Sequence, residues 1–193
     1  MRMLAAAAGL VLASMVLPAE EKISQVRQDI LDPFVGAAEE CLALAKAIPE
    51  EKYTWRPMEG VRSFGEVFAH MAGSTLLFCS YGGMKPPSGA AHDLAVVYMK
   101  RGFEMPEIFA AERAIKTKAH TTEVMDQAFH LARNWIRQMP DSDLDKQVNF
   151  FGDTMTMRGL LIHLDEHLAE HLGQAIAYAR VNHIVPPWSQ KKN

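Results

Sequence analysis

The stretch from position 157 to position 182 constrains the fold of this chain more than any other. It contains no proline and only two glycines, so the sequence predicts one long α-helix. Apolar residues recur in it at spacings of three, four or seven and form a stripe along one side of that helix. The stripe consists of Leu161, Leu164, Leu168, Leu172 and Ala179.

A row of histidines runs beside that stripe. His163, His167 and His171 are each four residues from the next, and imidazoles four residues apart lie one helical turn apart, close enough to bind one metal ion. Helical geometry places His171 nearest the apolar stripe and His163 farthest from it. We therefore expect His167 and His171 to face the bundle interior. Spacing alone is equally compatible with a plain polar flank, because two histidines four apart are a weak motif.

Residues 62–81 are predicted to form a second helix. Ser63 and Glu66 make a capping box, and a pair of glycines ends the helix after Tyr81. The helix is apolar nearly all round, so we expect it to be buried. Its one strongly polar side chain is His70, and a buried imidazole needs a partner for each ring nitrogen. Alone, His70 is more typical of a hydrogen-bonded core histidine, but the pair on the long helix favours a metal ligand.

Two further helices are predicted. The first covers residues 23–48 and contains Pro33, which should kink the helix or start it afresh. The other is expected to begin at a threonine cap, Thr121 or Thr122, and to continue to Met139 before a proline.

The connections between helices differ in length. Residues 84–105 carry little pattern beyond a short helix near 94–100, and a connection this long can cross the bundle, so the second and third helices are expected to run parallel. Residues 146–156 carry a glycine between short β-prone runs, which predicts a small hairpin before the last helix.

The N-terminus has the layout of a secretory signal peptide. A short start with one arginine precedes an apolar run over residues 4–17, followed by a charged segment. The run is shorter than the ~20 residues of a membrane span. We interpret residues 1–19 as a signal peptide for export to the periplasm or medium, and residues 20–193 as the mature domain. The alternative is that this segment is the front of the first helix.

Amino-acid composition limits the possible fold classes, binding partners and disulfides. A chain of 193 residues with 49% hydrophobic and 22% charged residues is typical of one globular domain, and a net charge of −3 gives no electrostatic support for nucleic-acid binding. Cys41 and Cys79 are the only cysteines. If the first two helices are antiparallel neighbours, the two thiols lie about 12 Å apart along the axis, too far for a disulfide.

Several short motifs between positions 49 and 189 occur in a recognisable combination. They are Arg62-Ser63-Phe64 leading to His70, Phe150-Phe151-Gly152, the run from His167 to Gln174, and Asn182 followed by Ile184-Val185-Pro186-Pro187. Together they resemble the DinB/YfiT-like family of proposed metalloenzymes. The family pattern on the last helix, two histidines four apart followed by Gly-Gln, matches His167, His171, Gly173 and Gln174.

This resemblance implies an all-α four-helix bundle with a long crossover connection, often dimeric. It also implies that His70, His167 and His171 bind one divalent metal ion, and histidine nitrogen suits zinc, nickel or iron. The mature form is expected to act on a small-molecule substrate, without a nucleic-acid or membrane partner, and to form a homodimer.

The sequence departs from the family pattern at three positions. Glu170 stands where many members have histidine, Leu172 where many have arginine, and His183 where glycine is common. None of these positions is a matched ligand, so the departures bear on the substrate rather than on the metal.

Three functions are compatible with these observations. The first is a metal-dependent hydrolase or thiol-dependent transferase, because three histidines leave coordination positions open. Export weakens the thiol branch, since low-molecular-weight thiols are mainly cytoplasmic. The second is a non-catalytic exported protein that binds a metal or small ligand. The third is a bundle that acts through its surface alone.

A competing motif lies within the long helix. His163, Glu166 and His167 spell H-x-x-E-H, an inverted zinc-protease pattern with the glutamate as base. It uses the histidine farthest from the apolar stripe, so we favour the site formed with the second helix.

Overall fold

A computed structural model describes residues 23–190, and the predicted signal peptide lies outside the described residues. Six helices and one hairpin make up this part of the chain. They are α1 (Gln25–Ala47), α2 (Phe64–Tyr81), α3 (His92–Tyr98), α4 (Met105–Ala114), α5 (Lys118–Gln138), β1 (Gln147–Phe150), β2 (Asp153–Thr156) and α6 (Met157–Val181).

Helices α1, α2, α5 and α6 form the predicted four-helix bundle. Helices α1 and α2 each pack on both α5 and α6, so they lie on one diagonal of the bundle. Helices α2 and α5 run in the same direction. At one end, Glu50, in the connection between α1 and α2, accepts a hydrogen bond of 3.1 Å from the Lys118 backbone N–H. The same connection contacts the start of α2, where the Gly65 N–H donates to the Tyr53 carbonyl at 2.9 Å. At the other end, Gly82 packs against Trp135. The predicted parallel pair with a crossover is therefore confirmed.

The crossover is more ordered than the sequence predicted. Helix α3 matches the expected short helix, but α4 was not predicted. Helix α4 begins with Pro106 in its first turn, and the Glu107 carboxylate accepts a hydrogen bond of 3.2 Å from the Glu104 N–H. Both features favour helix initiation. Helices α3 and α4 pack on each other and on α2, so they cover one side of that helix.

The helix starts test two of the predicted caps. At α2, Ser63 accepts a hydrogen bond from the Glu66 N–H and Glu66 accepts one from the Ser63 N–H, which confirms the capping box. The predicted cap of α5 was wrong. Thr117 caps that helix by accepting from the His120 N–H at 3.2 Å, whereas Thr121 is buried within it and donates its hydroxyl to the Thr117 carbonyl.

Pro33 does not restart α1, so that alternative was wrong; the helix continues through it from Gln25 to Ala47. Pro33 lies on the exposed side of the helix. Water can therefore bind the carbonyl of Asp29 that proline leaves without a donor.

The predicted hairpin is present and leads directly into α6. Residues 147–150 pair antiparallel with residues 153–156. The turn residues Phe151 and Gly152 have φ angles of 52° and 101°, the positive values that a two-residue type I′ turn requires. Thr156 then caps α6 by accepting a hydrogen bond of 3.1 Å from the Gly159 N–H.

Cys41 and Cys79 are free and fully buried, which confirms that they do not form a disulfide. Burial raises the pKa of both thiols, so neither is an activated nucleophile. Within residues 23–190, no helix is both long enough and apolar enough to cross a membrane.

Candidate metal centre

His70, His167 and His171 converge in the cleft between α2 and α6. One imidazole nitrogen from each lies within 4.8 Å of the others. The ring centroids of His70 and His171 are 4.6 Å apart, as are those of His167 and His171, and those of His70 and His167 are 5.2 Å apart. The structure therefore brings together the three residues that the sequence singled out.

The convergence follows from local sequence. Helix α2 is buried nearly all round, so any polar side chain on it must meet a partner from a neighbouring element. On α6, the side chains of Leu164, Leu168 and Leu172 are buried in the core. Helical geometry therefore places His167 and His171 at the edge of the same cleft. All three imidazoles are half-buried, so the cleft remains accessible to solvent.

Two residues of the crossover hold His70. Its Nδ1 lies 3.0 Å from a carboxylate oxygen of Glu112 on α4 and 2.8 Å from the hydroxyl of Tyr98 on α3. Glu112 is 1% exposed. Because a carboxylate accepts, Nδ1 of His70 carries the proton, which leaves its Nε2 lone pair available.

Glu112 is itself held as an anion. Its second oxygen accepts a hydrogen bond of 2.8 Å from Nε of Arg62, and Tyr98 donates to the first. Burial alone would raise the pKa of Glu112, but the bonds from His70, Arg62 and Tyr98 outweigh burial, and the pKa lies below its usual value. Burial beside this anion raises the pKa of Tyr98. The tyrosine therefore keeps its proton.

His171 has its own partner. Its Nδ1 lies 2.9 Å from the side-chain oxygen of Gln174, and the amide of Gln174 donates to the Tyr178 hydroxyl at 2.9 Å. The Tyr178 hydroxyl donates in turn to the Arg62 carbonyl at 3.3 Å. This chain fixes the His171 ring with Nδ1–H toward the glutamine. The His-x-x-Gln spacing on α6 thus has a geometric role.

His167 differs from the other two histidines. Its Nδ1 is buried without a hydrogen-bond partner among the described residues. The pKa of His167 is lowered to about 3, mainly by burial and further by the nearby His171 and His70. The imidazole is therefore neutral at physiological pH and has an unused lone pair, which is unusual for a buried polar group.

The competing H-x-x-E-H site is not assembled. His163 lies against the rings of Phe78 and Phe150, with centroids at 5.4 and 5.7 Å, and its side chain is 45% exposed. Glu166 is 76% exposed and contacts His163 at 3.4 Å. Among the described residues, His163 and Glu166 do not belong to a cluster of three metal-ligating groups.

Comparisons with known proteins identify the family and the fold of this chain. Residues 34–175 match the model of the DinB superfamily. The chain belongs to this superfamily. Two solved structures share its fold. A DinB-like protein from Bacillus subtilis is 20% identical with a TM-score of 0.57, over 86% of this chain and 99% of that one. A DinB-like protein from Bacillus cereus is 19% identical with a TM-score of 0.56, over 83% of this chain and 95% of that one. No curated protein matches the chain.

Sequence reasoning missed the residues that support the cluster. Glu112 lies on a helix that was not predicted, and in the sequence it resembles any exposed helical glutamate. Tyr98 lies on a short helix without a distinguishing pattern. Arg62 was named only as the first residue of a family motif, with no role assigned to its side chain. The start signals of α4, Pro106 followed by Glu107, could have revealed the helix but not the burial of Glu112.

Proposed function

We propose that His70, His167 and His171 bind one divalent metal ion, zinc, nickel or iron. The observation that carries this proposal is the convergence of three imidazole nitrogens within 4.8 Å. Ligand nitrogens lie about 2.1 Å from such an ion, so small rotations of the rings would complete the site.

The donor set fits a metal ion on chemical grounds. A metal binds the neutral imidazole, and lowered pKa values keep both His70 and His167 neutral at pH 7. Hydrogen bonds at Nδ1 of His70 and His171 leave the Nε2 atoms free to bind, an arrangement found around many metal-ligating histidines. Nδ1 of His167 has no hydrogen-bond partner among the described residues, so protein hydrogen bonds do not fix the orientation of this ring through that atom.

We further propose that the protein is a metal-dependent hydrolase or a thiol-dependent transferase acting on a small molecule. A divalent ion with three histidine ligands keeps open positions, where it can acidify a water or a thiol and polarise a carbonyl. The protein's own residues position the site: Glu112 and Tyr98 orient His70, and Gln174 orients His171. Export through the signal peptide favours the hydrolase branch.

A non-catalytic metal- or ligand-binding protein is the alternative. It is supported by the hydrogen bonding of Glu112, the carboxylate that contacts His70. This carboxylate already accepts hydrogen bonds from His70, Arg62 and Tyr98. A carboxylate committed to three donors holds a ligand in place and does not take up a proton from substrate.

Calorimetric titration with zinc and with nickel tests the site. Replacing His167 or His171 by alanine should reduce affinity by about two orders of magnitude or more, because a three-ligand site becomes a two-ligand site. His163→Ala is the matched control on the same helix and should retain wild-type affinity. Normal binding by His70→Ala together with loss in His163→Ala would overturn the assignment. The loaded protein is then assayed on ester, amide and thiol-acceptor panels, and binding without turnover would favour the alternative.

A further inference from the structure

A second cleft lies beyond the histidine cluster, between the hairpin and the loop that joins α3 to α4. Its volume is about 560 Å³, within the range of small-molecule sites. Strand β1 forms one wall, and residues 100–103 form the other. Three aromatic rings border it, those of Tyr81, Phe103 and Phe151.

Phe151 is held in this cleft in a strained conformation. Its φ of 52° lies in the left-handed region, which bulky residues rarely adopt. At this position of a type I′ turn, asparagine or glycine is the usual residue. Yet the residue is 63% exposed, so burial in the core does not explain the phenylalanine. Its ring lies 5.8 Å from that of Phe103 and 6.2 Å from that of Tyr81. One side of the ring also packs on the core ring of Phe150, at 4.6 Å. An exposed, strained aromatic residue that in addition faces two rings of the cleft indicates a role in binding.

Arg101 gives the cleft a positive charge. Its guanidinium stacks 3.7 Å from the centroid of the Tyr81 ring and donates one hydrogen bond of 3.3 Å to the Ser80 carbonyl. Within residues 23–190, no carboxylate forms an ion pair with Arg101, whereas neighbouring Lys100 is paired with Glu107 at 2.9 Å. The remaining N–H groups of Arg101 are available for a bidentate contact to an anion.

We propose that this cleft binds a small aromatic carboxylate. Arg101 binds the carboxylate, and the rings of Phe151, Phe103 and Tyr81 stack on the aromatic body. A continuous series of packed rings connects the cleft to the histidine cluster. The ring of Tyr81 lies 4.9 Å from that of Phe150, which lies 4.8 Å from that of Phe78. The ring of Phe78 in turn lies 5.6 Å from that of His167. Binding in the cleft does not require a metal ion, so this proposal stands independently of the metal centre.

Fluorine NMR with para-fluorobenzoate tests the proposal on the full chain stripped of metal with a chelating resin. The probe should broaden and shift on binding. Para-fluorobenzamide, which has the same ring without the charge, should bind about tenfold more weakly or worse. Acetate, which has the charge without the ring, should displace para-fluorobenzoate only at concentrations about tenfold higher or more than unlabelled benzoate needs. Equal binding of either analogue would overturn the proposed ligand class, and no binding of para-fluorobenzoate would overturn the site.

Two variants identify the residues involved. Arg101→Gln should weaken binding of para-fluorobenzoate about tenfold or more, while Arg180→Gln, an exposed arginine at the opposite end of the bundle, should leave binding unchanged. Phe151→Asn gives the turn its preferred residue, so it should raise the unfolding midpoint and yet weaken binding. A Phe151→Asn protein that is more stable and binds normally would show that the ring has no part in the site.

Discussion

The carboxylate of Glu112 on α4 lies 3.0 Å from Nδ1 of His70 on α2, although 42 positions separate the two residues. This contact joins the crossover connection to the bundle at the histidine cluster. It also places a buried, ionised carboxylate behind the histidine, an arrangement that fixes a ligand's tautomer and raises its basicity.

Glu112→Gln should weaken zinc affinity about tenfold to a hundredfold. The amide keeps the size of the side chain but removes the negative charge that makes His70 more basic. Calorimetric titration measures the affinity, and chemical denaturation shows separately how much stability is lost by leaving Arg62 without its partner. Glu107→Gln on the same helix is the control, because Glu107 lies at the surface and should not affect affinity. Unchanged affinity in Glu112→Gln would contradict a positioning role.

Gly73→Ala should displace Tyr98 from His70. A Cβ at position 73 would lie 2.4 Å from the Tyr98 ring, so either the ring or α2 must move. We expect a loss of about 1–3 kcal/mol in unfolding free energy and a weaker zinc affinity. Gly36→Ala is the matched helical control. A Cβ there has no neighbour within 4 Å, so it should stabilise α1 by about 0.5–1 kcal/mol. Equal stability of the two variants would refute the proposed packing.

The metal-free protein should lose stability as pH falls from about 6.5 toward 3. In the unfolded chain His167 takes up a proton near its ordinary pKa of 6.5, whereas in the fold burial, with His171 and His70 nearby, keeps its pKa at about 3. The unfolded state therefore binds more protons across this window, and acid favours it. His167→Gln should flatten the dependence measured by urea denaturation at a series of pH values. Parallel curves for the two proteins would exclude His167 as the source.

His183→Gly should stabilise the C-terminal end of α6. His183 has a φ of 60° and follows the helix cap, and the next residue, Ile184, donates back to the Ala179 carbonyl at 2.9 Å. Glycine adopts this conformation without steric cost, so a gain of about 0.5–1 kcal/mol is expected. His130→Gly, at an exposed position in the interior of α5, should instead destabilise the protein. Thermal or chemical denaturation of both variants checks the opposite signs.

Export predicts a processed N-terminus. Mass spectrometry of protein expressed in its native host should find a first residue near Glu20, because the apolar run over residues 4–17 would be removed with the signal peptide. An intact Met1 in the cytoplasmic fraction would contradict export.

Local sequence signals were enough to predict the four bundle helices and two of the three candidate metal ligands, His167 and His171, which lie one turn apart on the last helix. Periodicity and capping depend on neighbouring residues, so the Ser63 and Glu66 box and the row containing His167 and His171 could be read directly. His70 was singled out because it is polar on an apolar helix. The start of α5 was misplaced by one turn because Thr117 and Thr121 offer similar hydroxyls, and only the fold decides which one meets free backbone N–H groups.

The surroundings of the three histidines depend on how segments distant in sequence pack together. The ion pair of Arg62 with Glu112, the tyrosine behind His70 and the aromatic border at Phe151 each join segments distant in sequence. The spacing of residues within one segment of the sequence does not indicate such contacts. Burial of Glu112 depends on how α4 packs against α2, and the ionisation of buried groups depends on the partners that packing supplies. The metal-ligand candidates were therefore predictable from the chain, whereas their hydrogen-bond partners and the second cleft were not.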